Sequence, residues 1–130
     1  MIEPGISIEQ KRQVLDADSI KFLGEAVLPS LSTPSMIQWM EIACRDLVQP
    51  HLESGQDTVG VAVNIEHLAA APLGAQVLYR SSVSALEGRR VSFAVEALDG
   101  PEIIGKGTHD RFIIDIERFA QRLRKKFEDR

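Results

Sequence analysis

Residues 32–52, STPSMIQWMEIACRDLVQPHL, and residues 58–71, TVGVAVNIEHLAAA, together decide the fold. Ser32-Thr33-Pro34 has the form of a helix start, with hydroxyls able to accept from free backbone N–H groups and a proline where no N–H is needed. A helix from about Pro34 to Leu52 gathers Met36, Ile37, Met40, Ala43, Cys44, Leu47, Val48 and Leu52 on one half of its surface. The second stretch alternates, with Val59, Val61, Val63, Ile65 and His67 on one face and Thr58, Asn64 and Glu66 on the other. An apolar helix face and an apolar strand face each need a partner to bury, and they suit one another.

The flanking sequence supplies the rest of a sheet. Residues 5–14 read as a partly polar edge strand, and Asp18-Ser19 as the cap of a short helical turn through Leu23. Beyond the turn at Pro72 to Ala75, Gln76 to Leu86 forms a second long strand. Glu87-Gly88 and Asp99-Gly100 bracket RRVSFAVEAL as a third, and Ile103 to about Ile116 makes a fourth in which Gly105 and Gly107 relieve twist or mark a bulge. The tail ERFAQRLRKKFEDR is helical, with Phe119, Leu123 and Phe127 on one side and cations in its later turns. The expectation is an α+β fold in one domain over residues 1–130: an antiparallel sheet wrapped around one long central helix. Exposed sheet edges in so small a domain favour a homodimer with a continuous sheet.

Charge narrows the function. Nineteen acidic against fifteen basic side chains give a net charge of -4, which excludes nucleic-acid or anionic-membrane binding through bulk charge. No apolar run approaches the roughly 18 residues of a membrane span. The opening MIEPGISIEQKRQ lacks a basic segment followed by an apolar one, so a cytoplasmic protein is expected. Cys44 has no disulfide partner, and no set of Cys, His and carboxylates has metal-site spacing, so neither a metal nor a cofactor is expected.

Glu41 stands out because its helical position falls between Val48 and Leu52, inside the apolar arc, where a carboxylate needs a donor or a cation. The plain alternative is a charge at the rim of a wide apolar face. His67 closes the apolar stripe of the strand and would face the helix; a core histidine bonded to a carbonyl is the ordinary reading of such a residue. Thr33, eight residues before Glu41, either caps the helix or holds substrate or water near free N–H groups that stabilise an oxyanion. Gly60 permits close approach of a ligand, and Arg111 is a candidate contact for a phosphate, with a solvated face as its alternative. Cys44, amid apolar neighbours, reads as core; His51 reads as surface; the basic tail is either a solvated face or a reach towards phosphates.

The Thr-x7-Glu spacing with WMEIACRDLVQPHLESG, the strand-borne His67 twenty-six residues after Glu41, and the segments EGRRVSF and GKGTHDRF resemble the fluoroacetyl-CoA thioesterase family of the hotdog superfamily. The resemblance implies hydrolysis of a short acyl-CoA, the coenzyme being part of the substrate, by a homodimer with a CoA surface near the subunit interface. It implies a catalytic triad of Thr33, Glu41 and His67, with Gly60 beside the acyl group. The family's fluoroacetate-specific member carries a phenylalanine-bearing lid just before its threonine, whereas GEAVLPSLS here has no aromatic residue, so fluoroacetyl specificity does not transfer with the resemblance. In the expected mechanism Glu41 is nucleophile or base, His67 orients it or protonates the leaving thiolate, and Thr33 positions the carbonyl or water. The competing readings are a hotdog module that binds acyl-CoA without turnover and an assembly protein that uses its sheet edge and basic tail.

Overall fold

The computed structural model covers residues 1–130. Its elements are β1 (Ser7–Gln13), β2 (Ser19–Ile20), β3 (Ser30–Leu31), α1 (Thr33–Val48), β4 (Gln56–His67), β5 (Gln76–Glu87), β6 (Arg90–Asp99), β7 (Glu102–Asp115) and α2 (Ile116–Glu128). The main sheet is antiparallel with the order β1-β5-β6-β7-β4, and β2 and β3 form a separate small ribbon. This is the expected α+β arrangement, with α1 packed on one face of the sheet. The short helix expected from Asp18 is instead a single 3-10 turn over Asp16–Asp18 that passes into β2. No helix is long and apolar enough to cross a membrane.

α1 starts where its chemistry dictates. Ser32 stands at the N-cap and its Oγ accepts from the Ser35 N–H at 3.2 Å, while Pro34 occupies the first turn. The helix stops at Val48 rather than Leu52 because Pro50 has no N–H to continue the ladder; the chain tightens into a 3-10 turn over Gln49–His51. Met36, Met40, Ala43, Cys44, Leu47 and Val48 are buried against Tyr79, Phe93, Val95 and Ile104 of the sheet, whereas Ile37 and Leu52 are half-buried. Gly105 lets α1 lie this close: a β-carbon there would stand 2.5 Å from Met36 Sδ and 2.7 Å from its Cε, inside hard contact.

The alternation read along β4 does not hold through the strand. Its pairing with β7 slips between Gly60 and Ala62, so Val61 is an extra residue and the faces exchange there. Before the bulge Thr58 and Gly60 face α1, and after it Ile65 and His67 do. Val59 and Val61 instead lie on the outer face, where they line an apolar pocket with Phe112, Ile114, Phe119 and Leu123 beneath α2. β4 is also a free edge, exposed continuously from Gly60 to Asn64.

Candidate active site

Two clusters form along the α1–β4 seam. At the start of α1, Thr33 Oγ1 and His67 Nδ1 are 2.8 Å apart. Because Ser32 provides the cap, the hydroxyl of Thr33 is left for the imidazole. His67 Nε2 is buried and has no hydrogen-bond partner, a state that water or a substrate atom would relieve. The pair opens onto a groove of about 600 Å³ whose walls include Leu68, Ala69 and the 80% exposed ring of Phe22.

The second cluster surrounds Glu41. Its Oε2 accepts from Arg111 Nη1 at 3.4 Å and stands 4.0 Å from His109 Nε2. Arg111, only 6% exposed, is pinned by Nε donating to Thr58 Oγ1 at 2.7 Å and Nη2 donating to the Thr58 carbonyl at 2.8 Å. Its burial lowers the guanidinium pKa, an effect that the Glu41 charge opposes. His109 is held neutral in one tautomer: the Ala62 carbonyl, 2.8 Å away, can only accept from Nδ1–H, and Arg111 Nη1, 3.2 Å away, can only donate to Nε2. Burial lowers its pKa in agreement, so its approach to Glu41 is not an ion pair. Phe93 stacks on the ring with centroids 6.1 Å apart.

Gly60 lies directly under this carboxylate. A β-carbon at Gly60 would sit 3.0 Å from Glu41 Oε2 and 3.1 Å from His109 Cε1, so the close approach that the glycine permits is made by the protein's own acid. Arg111, read from the sequence as a candidate phosphate contact, turns instead into the interior towards Glu41 and Thr58. Cys44 is fully buried with its Sγ 3.1 Å from Ser81 Oγ, and burial pushes the thiol up to about 12.

Within one chain the predicted residues do not all meet. Thr33 and His67 are bonded, but Glu41 lies eight residues further along α1, about 12 Å at 1.5 Å per residue, and its partners are Arg111, His109 and Gly60. Thr58, His109 and Phe22 were not singled out as site residues. His109 and Arg111 share strand parity in GTHDR, which was legible; Thr58 was assigned to the wrong face because the bulge hides its orientation.

The family model described as fluoroacetyl-CoA-specific thioesterase matches residues 14–117. A fluoroacetyl-CoA thioesterase from Streptantibioticus cattleyicolor is 40% identical over 95 residues, 73% of this chain and 68% of the relative. The solved structure of the fluoroacetyl-CoA thioesterase FlK superposes with a TM-score of 0.88 at 31% identity, covering 97% of this chain and 98% of that one. A mutant of FlK in complex with fluoroacetate and CoA gives a TM-score of 0.82 at 32% identity, over 91% of this chain and 99% of the other. A thioesterase superfamily member from Thermus thermophilus gives 0.87 at 29% identity, over 100% and 98%.

Proposed function

Because this chain belongs to the fluoroacetyl-CoA-specific thioesterase family and hydrolyses acyl-CoA thioesters, we propose that its catalytic set is Thr33, Glu41 and His67, assembled across a homodimer. The observation that carries this reading is the separation of the two clusters along β4, whose edge between them is unpaired. Antiparallel pairing of two β4 edges about their exposed run sets His67 of one subunit opposite Thr58 or Gly60 of the other, on the same face of the joined sheet. Glu41 of one subunit then shares a cavity with the Thr33–His67 pair of its partner.

In this arrangement the Thr33 hydroxyl donates to His67 Nδ1 and fixes the tautomer that carries a proton on Nε2. Glu41, held against Gly60 by Arg111, takes a proton from water as the oxygen attacks the thioester carbonyl. The Thr33 N–H stabilises the oxyanion, being the donor left at the start of α1 once Ser35 bonds Ser32 Oγ and Met36 bonds the Ser32 carbonyl, Pro34 having none. The C–S bond breaks, the CoA thiolate, hydrogen-bonded by the Nε2–H of His67, takes the proton that Glu41 removed from water, and the free acid leaves. Glu41 is then a carboxylate again, and His67 keeps its proton throughout. The acyl group is small, the reaction uses no cofactor beyond the CoA of its substrate, and it takes place in the cytoplasm, where the single thiol stays reduced.

Subunit complementation tests the proposal. Glu41→Gln and His67→Ala proteins are each inactive alone. Unfolded and refolded together in equal amounts, they form heterodimers in which one of the two sites has both groups, restoring about a quarter of wild-type thiol release. Absence of restoration, with mixed dimers present, would refute the composite site; steady hydrolysis by Glu41→Gln alone would refute the acid's role.

A further inference from the structure

α2 lies along the outer face of the sheet without being buried there: Phe119 is half-buried, Leu123 is 53% exposed and Phe127 is 79% exposed. Ile116, Leu123 and Phe127 fall on one stripe of the helix, at intervals of seven and four residues. The face with Arg118, Gln121 and Lys125 overhangs Arg89 of the β5–β6 turn, and the face with Phe119, Leu123 and Lys126 overhangs Val59 and Val61 of β4. The stripe comes next in the same rotation, so it looks over the free edge of β4. α2 begins where β7 ends and doubles back over Phe112, and the eleven residues from Ile116 to Phe127 advance it about 16 Å, or about five strand residues. Phe127 therefore stands level with Asp110 and its β4 partner Ala62, at the middle of the exposed run from Gly60 to Asn64.

We infer that the stripe is covered by α2 of a second copy, across the seam of two paired β4 edges, with Phe127 against its own symmetry mate. The inference rests on the β4-paired homodimer proposed above and gives it an outer layer of contact, on the face of the sheet opposite the two clusters. Position identifies the occupant: an apolar side chain at the middle of the paired edge lies beside the two-fold axis, where it meets the same residue of the partner. Each helix is set back from that axis by about one strand spacing, so the two are about 10 Å apart, the distance at which helices pack. Val61, the extra residue of the bulge and itself exposed, forms the floor between them. In that homodimer each active site draws Glu41 from one subunit and the Thr33–His67 pair from the other, so a contact that touches neither cluster still governs how much of the enzyme is active, through the population of dimer.

The test compares the wild type with the Leu123→Ser/Phe127→Ser double variant, both side chains being more than half exposed in the single subunit, so that its fold is kept. Sedimentation over a dilution series is expected to show the dimer dissociation constant raised about a hundredfold in the variant. Thiol release on the same dilutions falls with the dimer, and regains the wild-type kcat where the variant is concentrated enough to re-form it. Phe127→Cys should oxidise to a disulfide-linked dimer and Gln121→Cys should not, Cys44 being buried. Equal dissociation constants, a disulfide through Gln121→Cys alone, or a wild-type tetramer that the double variant reduces to dimers overturns the inference and leaves the composite site standing. An active wild-type monomer overturns both.

Discussion

Replacing Gly60 with alanine is the sharpest probe of the Glu41 cluster, because the added methyl meets two atoms that respond differently. At 3.0 Å from Glu41 Oε2 and 3.1 Å from His109 Cε1, it lies about 0.4 and 0.3 Å inside an ordinary 3.4 Å contact. His109 cannot give way: its side chain is 1% exposed, stacked on Phe93 and bonded to the Ala62 carbonyl. The Glu41 side chain, 39% exposed, can, and it moves away from the strand and from Arg111. The overlap with His109 therefore persists, and an overpacking cost of about 1–3 kcal/mol is offset only in part by the about 0.4–1 kcal/mol that alanine regains by restricting the unfolded chain. The melting temperature should fall by about 2–8 °C. Catalysis is less tolerant: a misplacement of about 1 Å costs on the order of a hundredfold, so a few tenths of an ångström with a loosened cation contact should lower kcat about tenfold. The assay is thiol release over a range of substrate concentrations, paired with thermal melting of the same preparation. An unchanged kcat would show that the position of Glu41 is immaterial, and an unchanged melting temperature would show that His109 does yield.

Neighbouring hydroxyls should separate cleanly: Thr33→Val lowers kcat about a hundredfold without loss of stability and Thr33→Ser restores it, whereas Ser32→Ala costs about 1 kcal/mol of stability through the lost cap; kinetics and chemical denaturation of the three proteins check this. His109 stays neutral in the fold because burial lowers its pKa, outweighing the nearby Glu41 and Asp110 charges, so below its ordinary value of about 6.5 the unfolded chain takes up a proton that the native one refuses. Its contribution to stability is whole above that pH and declines as pH falls from about 6.5 towards the lowered native value; melting curves from pH 7 to 5 should be flatter for His109→Gln, and parallel curves would refute the assignment.

The scaffold was legible because its signals are local. The apolar stripe of α1, the Glu-Gly and Asp-Gly turns around β6 and the cationic end of α2 each depend on residues close in sequence, and all lie where periodicity puts them. The site depends on features without local signals. Glu41 showed that it needed a partner, but Arg111 lies seventy residues away and reaches it only through the pairing of β7 with β4. Alternation ran unbroken through GVAVN in the sequence, so the extra residue at Val61 was invisible, and Val59, Val61 and Thr58 went to the wrong faces. The two hydroxyls at the helix start looked interchangeable; only the hydrogen bonds from Ser35 and to His67 separate their tasks. Phe22 precedes the aromatic-free stretch GEAVLPSLS, yet the fold brings it back to the groove beside Thr33.

The bulge in β4 acts as a phase shifter. A regular strand ties every residue to one alternation, so a change of length at one end would invert the side chains at the other. By inserting one unpaired residue between Gly60 and Ala62, this strand uncouples its halves: the first presents Thr58 and Gly60 to the acid and its valines to α2, and the second presents Ile65 and His67 to the start of α1. A single-residue deletion at Val61 would leave Gly60 opposite Arg111 and Ala62 opposite Asp110, so both halves would keep their faces and only the local bend would be lost. The bulge is therefore the one place where this strand can shed a residue without turning any side chain of the site away.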